Sequence, residues 1–452
     1  MSSPRAADLR NSADRLFRTR TPSSAELWQR ASGSFPDGVS GQAKFFAPYP
    51  VFLSSAAGAT VTDVDGRLYI DLLMGAGPML LGHSHPHVVE AVRRQVEVMT
   101  NPMMPTELSV TYAERLRSHM PYLERLRFTN TGSEATRSAV RVARAATGRL
   151  KIAKFEGNYH GSDDLFLIST HSPEPSGPDD RPEPVIDYAG LSSRLADEVV
   201  VLPYNDAPAA ERLIDEHADE LAAVIMEPVA FSSGGGVPAS PDFAAAVRRA
   251  TERHQILLIL DEVLCGLRLG LAGAPAYLGI TPDLAAIGKA IGGGLPLAAF
   301  GGRADLMEGA LGGGPGSQRV FQSGTFTENP LSIAAGMATL DVLEAEPALD
   351  RADAAGALLR ATLMEAITDS RHDAVVTGVG SIVQIHFGAT RVVNRRDVVR
   401  SNLARTRSFL LGMVARGVLW PPVHPAVTSA AHGDQEIDSV VAAARDALEE
   451  LE

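Results

Sequence analysis

From about residue 105 onward, short apolar runs alternate with helical patterns, and this alternation limits the possible folds more than any other feature of the chain. The runs are LRFTN at 126–130, LKIAKF at 150–155, EVVVLP at 198–203, AAVIMEP at 222–228 and ILLILDEV at 256–263. Nearly continuous apolar strands separated by helices are buried on both faces, which implies a mostly parallel sheet flanked by helices and an α/β fold. A chain of 452 residues, 45% of them apolar, can bury more than one core. Three portions are expected: 1–74 as an N-terminal segment with part of a small domain, 75–335 as a large domain, and 336–452 as the rest of the small one. VTDVDGRLYIDLL at 61–73 reads as a hairpin turning at Asp65-Gly66. HSPEPSGPDDRPEP at 171–184 is too polar for a core and too long for an ordinary connection, so a mobile surface loop is expected there, serving as a lid because it follows Tyr159 closely. GALGGGPGSQ at 309–318 is a second, Gly-rich break.

Charge and cysteine usage exclude several classes. With 41 Lys+Arg against 54 Asp+Glu, the net charge of −13 argues against a general nucleic-acid binder. No uncharged apolar run is long enough to span a bilayer. The single cysteine, Cys265, rules out an internal disulfide and fits a reducing compartment. The first 24 residues lack the apolar core of a secretory signal, and Asp8 and Asp14 count against a transit peptide. A loosely ordered N-terminus and a cytoplasmic location are expected.

The chemistry begins at ILLILDEV, where a buried strand ends in Asp261. Open parallel sheets bind ligands at the carboxyl ends of their strands, and a carboxylate placed there needs a cation. One source is a Mg²⁺-nucleotide, but that requires GxxxxGK[ST] earlier in the chain. The only Gly-Lys pair, Gly288-Lys289, comes later and is followed by Ala290. The other is the protonated pyridine nitrogen of pyridoxal 5′-phosphate (PLP), held by a charge-assisted hydrogen bond. A strand-end Asp satisfied by backbone donors is the plainer alternative. Downstream, DLAAIGKAIGGGLPLAAFGG at 283–302 sets Lys289 between an apolar run and glycines, where desolvation would lower its pKa and make it nucleophilic. Upstream, LRFTNTGSEATRSAVRVARAATG at 126–148 supplies a strand, a tight turn at Gly132 and a helix whose N-terminus, with Ser133, could receive a phosphate; Ser133 could equally be an N-cap. FEGNYHG at 155–161 offers Tyr159 as a flat cover for a ring.

Lys289, Asp261, the TGSEA turn and NYHG, together with GPMLLGHSHPHVVEAV, EPVA, GKAIGGGLP and QSGTFTENPLSIAAG, resemble the class III aminotransferases, PLP enzymes of fold type I, and within them the glutamate-1-semialdehyde aminomutase group. The similarity runs from about residue 35 to 432. It implies a large domain with a seven-stranded, mostly parallel sheet and a smaller α/β domain built from both termini. It also implies that Lys289 holds PLP as a Schiff base and moves protons, that Asp261 pairs with the pyridine nitrogen, and that Val263 packs on the ring. Gly132 and Ser133 would hold the phosphate, Tyr159 would stack over the ring, and Glu227 would belong to the cofactor surroundings. Thr325 would complete the phosphate site of the partner in a homodimer.

The resemblance departs at the substrate. Lys44 stands where aminomutases have a carboxylate-gripping arginine, Ala76 where they have a tryptophan, and His424 where they have a glutamate. A lysine does not reproduce the bidentate arginine fork. The expectation is therefore an aminotransferase that exchanges an amino group between an amine or amino acid and a separate keto acid or aldehyde, with bulkier amines or β-amino acids as donors. The alternatives are aminomutase-type intramolecular transfer, or a racemase or decarboxylase on the same scaffold.

The other suggestive residues read plainly. In HSHPH at 83–87, Pro86 is expected to open a helix, and no metal site is expected. Cys265 is expected to be a buried, inert thiol. The glycines at 234–236 and 312–314 do not form a dinucleotide fingerprint.

Overall fold

A computed structural model describes residues 13–312, 319–370 and 372–451. Two compact units emerge: one from residues 86–347 with 393–396, the other from residues up to 85 with 348–392 and from 397 onward. The central unit thus begins at 86 and ends at 347, and it takes back the short segment 393–396.

The central unit is built on seven strands, β1 (Arg125–Thr129), β2 (Lys151–Phe155), β3 (Val199–Leu202), β4 (Leu221–Met226), β5 (Leu257–Glu262), β6 (Leu284–Ile287) and β7 (Ala298–Gly302). Their order across the sheet is β1-β7-β6-β5-β4-β2-β3. All neighbours run parallel except β7, which is antiparallel to both β6 and β1. Every residue of β3, β4, β5, β6 and β7 is buried, as expected for a sheet covered on both faces. Helix α1 (Gly132–Thr147) lays Ala139, Val140, Val142 and Ala143 into a core shared with Ile152, Ile225, Ile259, Ala286 and Phe300. This is the α/β architecture that the alternating runs imply.

In the other unit, Leu53–Ala57, Thr60–Asp63, Leu68–Asp71 and Val418–Leu419 form one sheet, and Ala374–Thr377, Ile382–Phe387 and Ala426–Val427 form another. The expected hairpin is present, with Thr62 opposite Leu68. Its turn is held by Asp63, whose Oδ1 accepts the N–H groups of Asp65 (2.9 Å) and Arg67 (2.8 Å), while Gly66 takes a left-handed φ of 77°. Helices Ala348–Ser370, Leu403–Ala415 and Asp434–Glu449 close a core around Leu363, Phe387, Phe409, Trp420 and Val440.

Two expectations need correction. Residues 13–20 are helical with Phe17 fully buried, so this part of the N-terminus is not loose; residues 1–12 lie outside the described residues. The 171–184 stretch contains no helix, but it is tied down. Arg396 donates to the carbonyls of Ser176 and Gly177, both at 2.7 Å, and Arg395 donates to those of His171 (3.2 Å) and Ser172 (2.9 Å). The Gly-rich break at 309–318 lies outside the described residues from 313 onward. No helix among the described residues is long and apolar enough to cross a membrane.

Candidate active site

The site lies at the carboxyl ends of β2, β4, β5 and β6. Asp261 and Ala286 are register partners on the parallel pair β5–β6, so the chain leaves β6 toward Lys289 beside the end of Asp261's strand. Asp261 is buried; its Oδ1 accepts the N–H of Val263 at 3.1 Å, and its Oδ2 lies 2.7 Å from His160 Nδ1.

Lys289 follows β6 with φ at 49°, a left-handed conformation that a non-glycine residue keeps only where its surroundings enforce it. Its Nζ lies 5.6 Å from the centre of the Phe231 ring. Burial pulls the amine down to about 8, against the opposing pull of Glu227 and Asp261. Glu227 is the counterpart: burial and then Asp261 push its carboxyl up to about 8, while the N–H of Tyr159, Lys289 and the N–H of Phe231 act the other way.

Glycines bring backbone close to this cluster. A Cβ at Gly132 would lie 2.6 Å from Val263 Cγ1, and one at Gly288 would lie 3.1 Å from the same atom. The Val263 side chain thus occupies the space beside both glycines. Gly132 opens α1, whose N-cap is Thr131 and not Ser133. A capping box joins Thr131 to Glu134, and the Glu134 carboxylate also accepts the N–H of Asn130 at 2.7 Å. That leaves the N–H groups of Gly132 and Ser133 at the positive end of the helix. The Ser133 hydroxyl accepts the N–H of Ser162 at 3.0 Å, and a Cβ at Gly161 would collide with Ser133. The turn after β2 and the start of α1 therefore fit against each other.

That turn carries Asn158, Tyr159 and His160. Asn158 Oδ1 accepts the N–H of Glu227 at 2.9 Å, so the turn is latched to the end of β4. The Tyr159 ring is exposed and lies 5.6 Å from that of His171. Below it, fully buried Lys154 donates to Ile168 O (2.7 Å) and Thr170 Oγ1 (2.9 Å), and burial brings its amine down to about 8.

The structure thus gathers Asp261, Lys289, Glu227, Val263, Gly132, Ser133 and Tyr159 at one end of the sheet. Thr325 is exposed and lines a cleft of about 510 Å³ with Met103, Met104, Arg127 and Gln322, and neither Lys289 nor Asp261 lines that cleft. Lys44, Ala76 and His424 belong to the other unit. There Lys44 is exposed and donates to Ser40 Oγ at 3.3 Å, and Ala76 takes a φ of 62° in a tight turn. Sequence reasoning missed His160, Asn158 and Phe231. The first two stand on either side of Tyr159 in FEGNYHG, and the signal available was that two further polar side chains sit at a strand end.

The remaining candidates have structural partners. Helix Pro86–Val98 opens at Pro86; His83 Nε2 pairs with Asp71 (2.7 Å) and His87 Nε2 with Asp341 (3.0 Å). Cys265 is buried, and burial pushes its thiol well up.

Comparison with known proteins agrees with this geometry. Residues 42–433 match the model of the family described as aminotransferase class-III. A glutamate-1-semialdehyde 2,1-aminomutase of Sorangium cellulosum is 41% identical over 95% of this chain and 97% of its own, and one of Methanocella arvoryzae is 38% identical over 94% and 98%. Among solved structures, an omega-transaminase from Sphaerobacter thermophilus superposes with a TM-score of 0.88 at 36% identity, covering 95% of this chain and 97% of that one. A glutamate-1-semialdehyde aminomutase from Pseudomonas aeruginosa gives 0.88 at 28% identity, with both chains covered in full. The seven-stranded α/β fold, its strand-end cluster and these similarities together identify the chain as an enzyme of the class III aminotransferase family, with the type I fold of that family.

Proposed function

We propose that this enzyme uses pyridoxal 5′-phosphate to move an amino group between neighbouring carbons of one small amino-carbonyl substrate, as a 2,1-aminomutase does. The observation that carries the intramolecular reading is the set of curated relatives named glutamate-1-semialdehyde 2,1-aminomutase, 36–41% identical over nearly the whole chain. Transfer to a separate acceptor, which the substitutions at 44, 76 and 424 had put first, becomes the second reading. It retains the support of those three residues and of the likeness to the Sphaerobacter omega-transaminase.

The residues present fit the cofactor. The first N–H groups of α1 suit a phosphate, and glycine at 132 leaves room for the Val263 side chain packed against the start of the helix. Buried Asp261 suits a cationic ring nitrogen. When bound, the cofactor supplies a carbonyl for amine exchange and an electron-withdrawing ring. The protein's part follows from its own groups. With its pKa near 8, Lys289 Nζ is neutral often enough near neutral pH to act as a nucleophile and then to take up and return a proton. Asp261 would accept the hydrogen bond of the cofactor's ring N–H and so hold that proton in place. Val263 would support one face of the ring, and Tyr159 would cover it. Glu227 fixes the Tyr159 backbone. We further infer a homodimer in which Thr325 completes the partner's phosphate site; exposed Phe321 and Phe326 on either side of Thr325 favour burial against a second copy.

The test is kinetic. Glutamate-1-semialdehyde is supplied to the PLP-saturated enzyme without any other amino acceptor, and 5-aminolevulinate is measured. Efficient conversion supports the intramolecular reading. A strict need for an added keto acid, with turnover of bulky amines or β-amino acids, replaces it with the second. An unchanged substrate profile in Lys44→Ala removes Lys44 from the site under either reading.

A further inference from the structure

Lys289 opens a single tight turn, Lys289–Gly292, with its left-handed φ of 49°. A non-glycine residue keeps that conformation only where its surroundings over-determine it. Two residues on, Ile291 is buried, and its carbonyl accepts the hydroxyl of Tyr112 at 2.5 Å. Tyr112 belongs to helix Glu107–His119 and is fully buried; burial pushes its phenol well up, so the hydroxyl keeps its proton and stays a donor. Its ring stacks on that of Phe128 in β1, with centres 5.9 Å apart and planes 6° from parallel. Helix Pro330–Ala345 closes the arrangement from the other side. A Cβ at Gly336 would collide with both Ile291 O and the Tyr112 hydroxyl oxygen, and one at Gly293 would collide with Ala335 O.

We propose that Tyr112 is a positioning residue for Lys289: its hydroxyl pins the Ile291 carbonyl, and with it the turn that aims the Lys289 amine. The inference rests on the PLP reading above. Leaving a buried carbonyl without its donor costs about as much as holding a non-glycine residue at positive φ, so this one hydrogen bond is large enough to decide whether the turn is kept. The contact is to backbone, so it acts through the placement of the turn. A nucleophile must meet the cofactor carbonyl at a set distance and angle, and a misplacement of about 1 Å can slow such a step by about 100-fold. Phe128, on which Tyr112 stacks, lies on the strand that leads into the Gly132 turn. Tyr112 thereby ties the Lys289 turn to the strand that runs toward the phosphate-suited end of α1.

The test compares Tyr112→Phe, which removes the hydroxyl and keeps the stacked ring, with Tyr69→Phe. The second variant removes another buried tyrosine hydroxyl, the one that donates to Asp63 at 2.9 Å in the hairpin of the other unit. Saturating PLP is added to each cofactor-free protein, and its attachment to Lys289 is followed by visible absorbance and confirmed by borohydride labelling. Tm and amide hydrogen exchange across 288–293 are read on the same proteins. Tyr112→Phe is expected to attach PLP about 10- to 100-fold more slowly, the penalty for a misplaced nucleophile, and to exchange faster across 288–293. Tyr69→Phe is expected to lower Tm but to attach PLP at the wild-type rate. Attachment at the wild-type rate in Tyr112→Phe, or equal slowing in both variants, overturns the proposal. If Tyr112→Phe does not fold, Phe128→Leu, which removes the ring that Tyr112 stacks on, is judged by the same criteria. Wild-type protein that attaches no PLP at Lys289 overturns the cofactor reading, whereas normal attachment in wild type with an indifferent Tyr112 overturns this inference alone.

Discussion

The Glu227 carboxylate accepts the backbone N–H of Tyr159 at 2.8 Å, although burial and the nearby Asp261 charge favour its protonation. Burial of this carboxyl sets a pH dependence. Its folded pKa, pushed up to about 8 from an ordinary 4.5, means that the folded chain binds more protons at this group than the unfolded chain between those two values. Stability contributed by this group therefore falls as pH rises from about 5 to 8. Glu227→Gln retains an acceptor for Tyr159 but cannot ionise. The Tm of the cofactor-free variant should therefore gain on wild type as pH is raised through that window, and a difference that stays flat or shrinks would contradict the assignment.

Lys289 and Lys154 have the opposite sign. Both amines are pulled down to about 8 by burial, so the unfolded chain binds more protons above that pH and folding is favoured as pH rises from about 8 to 10.5. Lys154→Met removes one such group. In cofactor-free protein, its Tm relative to wild type should decline over that range, as thermal melts at fixed ionic strength would reveal.

Borohydride reduction of the PLP-loaded protein should fix the cofactor to Lys289, as read by peptide mapping. Lys289→Ala should lose both that label and nearly all turnover. Asp261→Asn should retain cofactor poorly, because a neutral amide is a weaker partner for a cationic ring nitrogen. A label on another lysine would remove Lys289 from its proposed role.

Arg396 and Glu156 form a buried bidentate pair at 2.7 and 3.1 Å, and the same guanidinium holds the carbonyls of Ser176 and Gly177. Removing one partner leaves an uncompensated buried charge, so Arg396→Ala should cost about 3–5 kcal/mol in chemical denaturation. Replacing both, as Glu156→Leu with Arg396→Met, should cost less than Arg396→Ala alone. Hydrogen exchange across 171–184 should accelerate in Arg396→Ala; unchanged protection would show that the stretch is held by something else.

Sedimentation is expected to give a dimer in which Thr325→Ala weakens PLP retention without changing assembly. An active, PLP-saturated monomer would contradict the shared phosphate site.

Much of this protein is local in sequence and could be read there. Apolar runs mark β1 to β5, and they are most nearly continuous in β3, β4 and β5, whose residues are all buried, since a doubly covered strand is apolar along most of its length. Asp261 and Lys289 stand out because each follows such a run directly, and the Asp65-Gly66 turn needs only its own backbone. Contacts between distant segments were decided by packing. His160 meets Asp261 across 101 positions, and Arg396 meets Glu156 across 240. The helix cap moved from Ser133 to Thr131 once the Glu134 side chain folded back, and the polar 171–184 stretch turned out to be anchored by arginines far down the chain. Periodicity and turn chemistry act over a few residues and are written in the chain, whereas which buried polar group satisfies which other depends on strand order, and only the folded sheet sets that order.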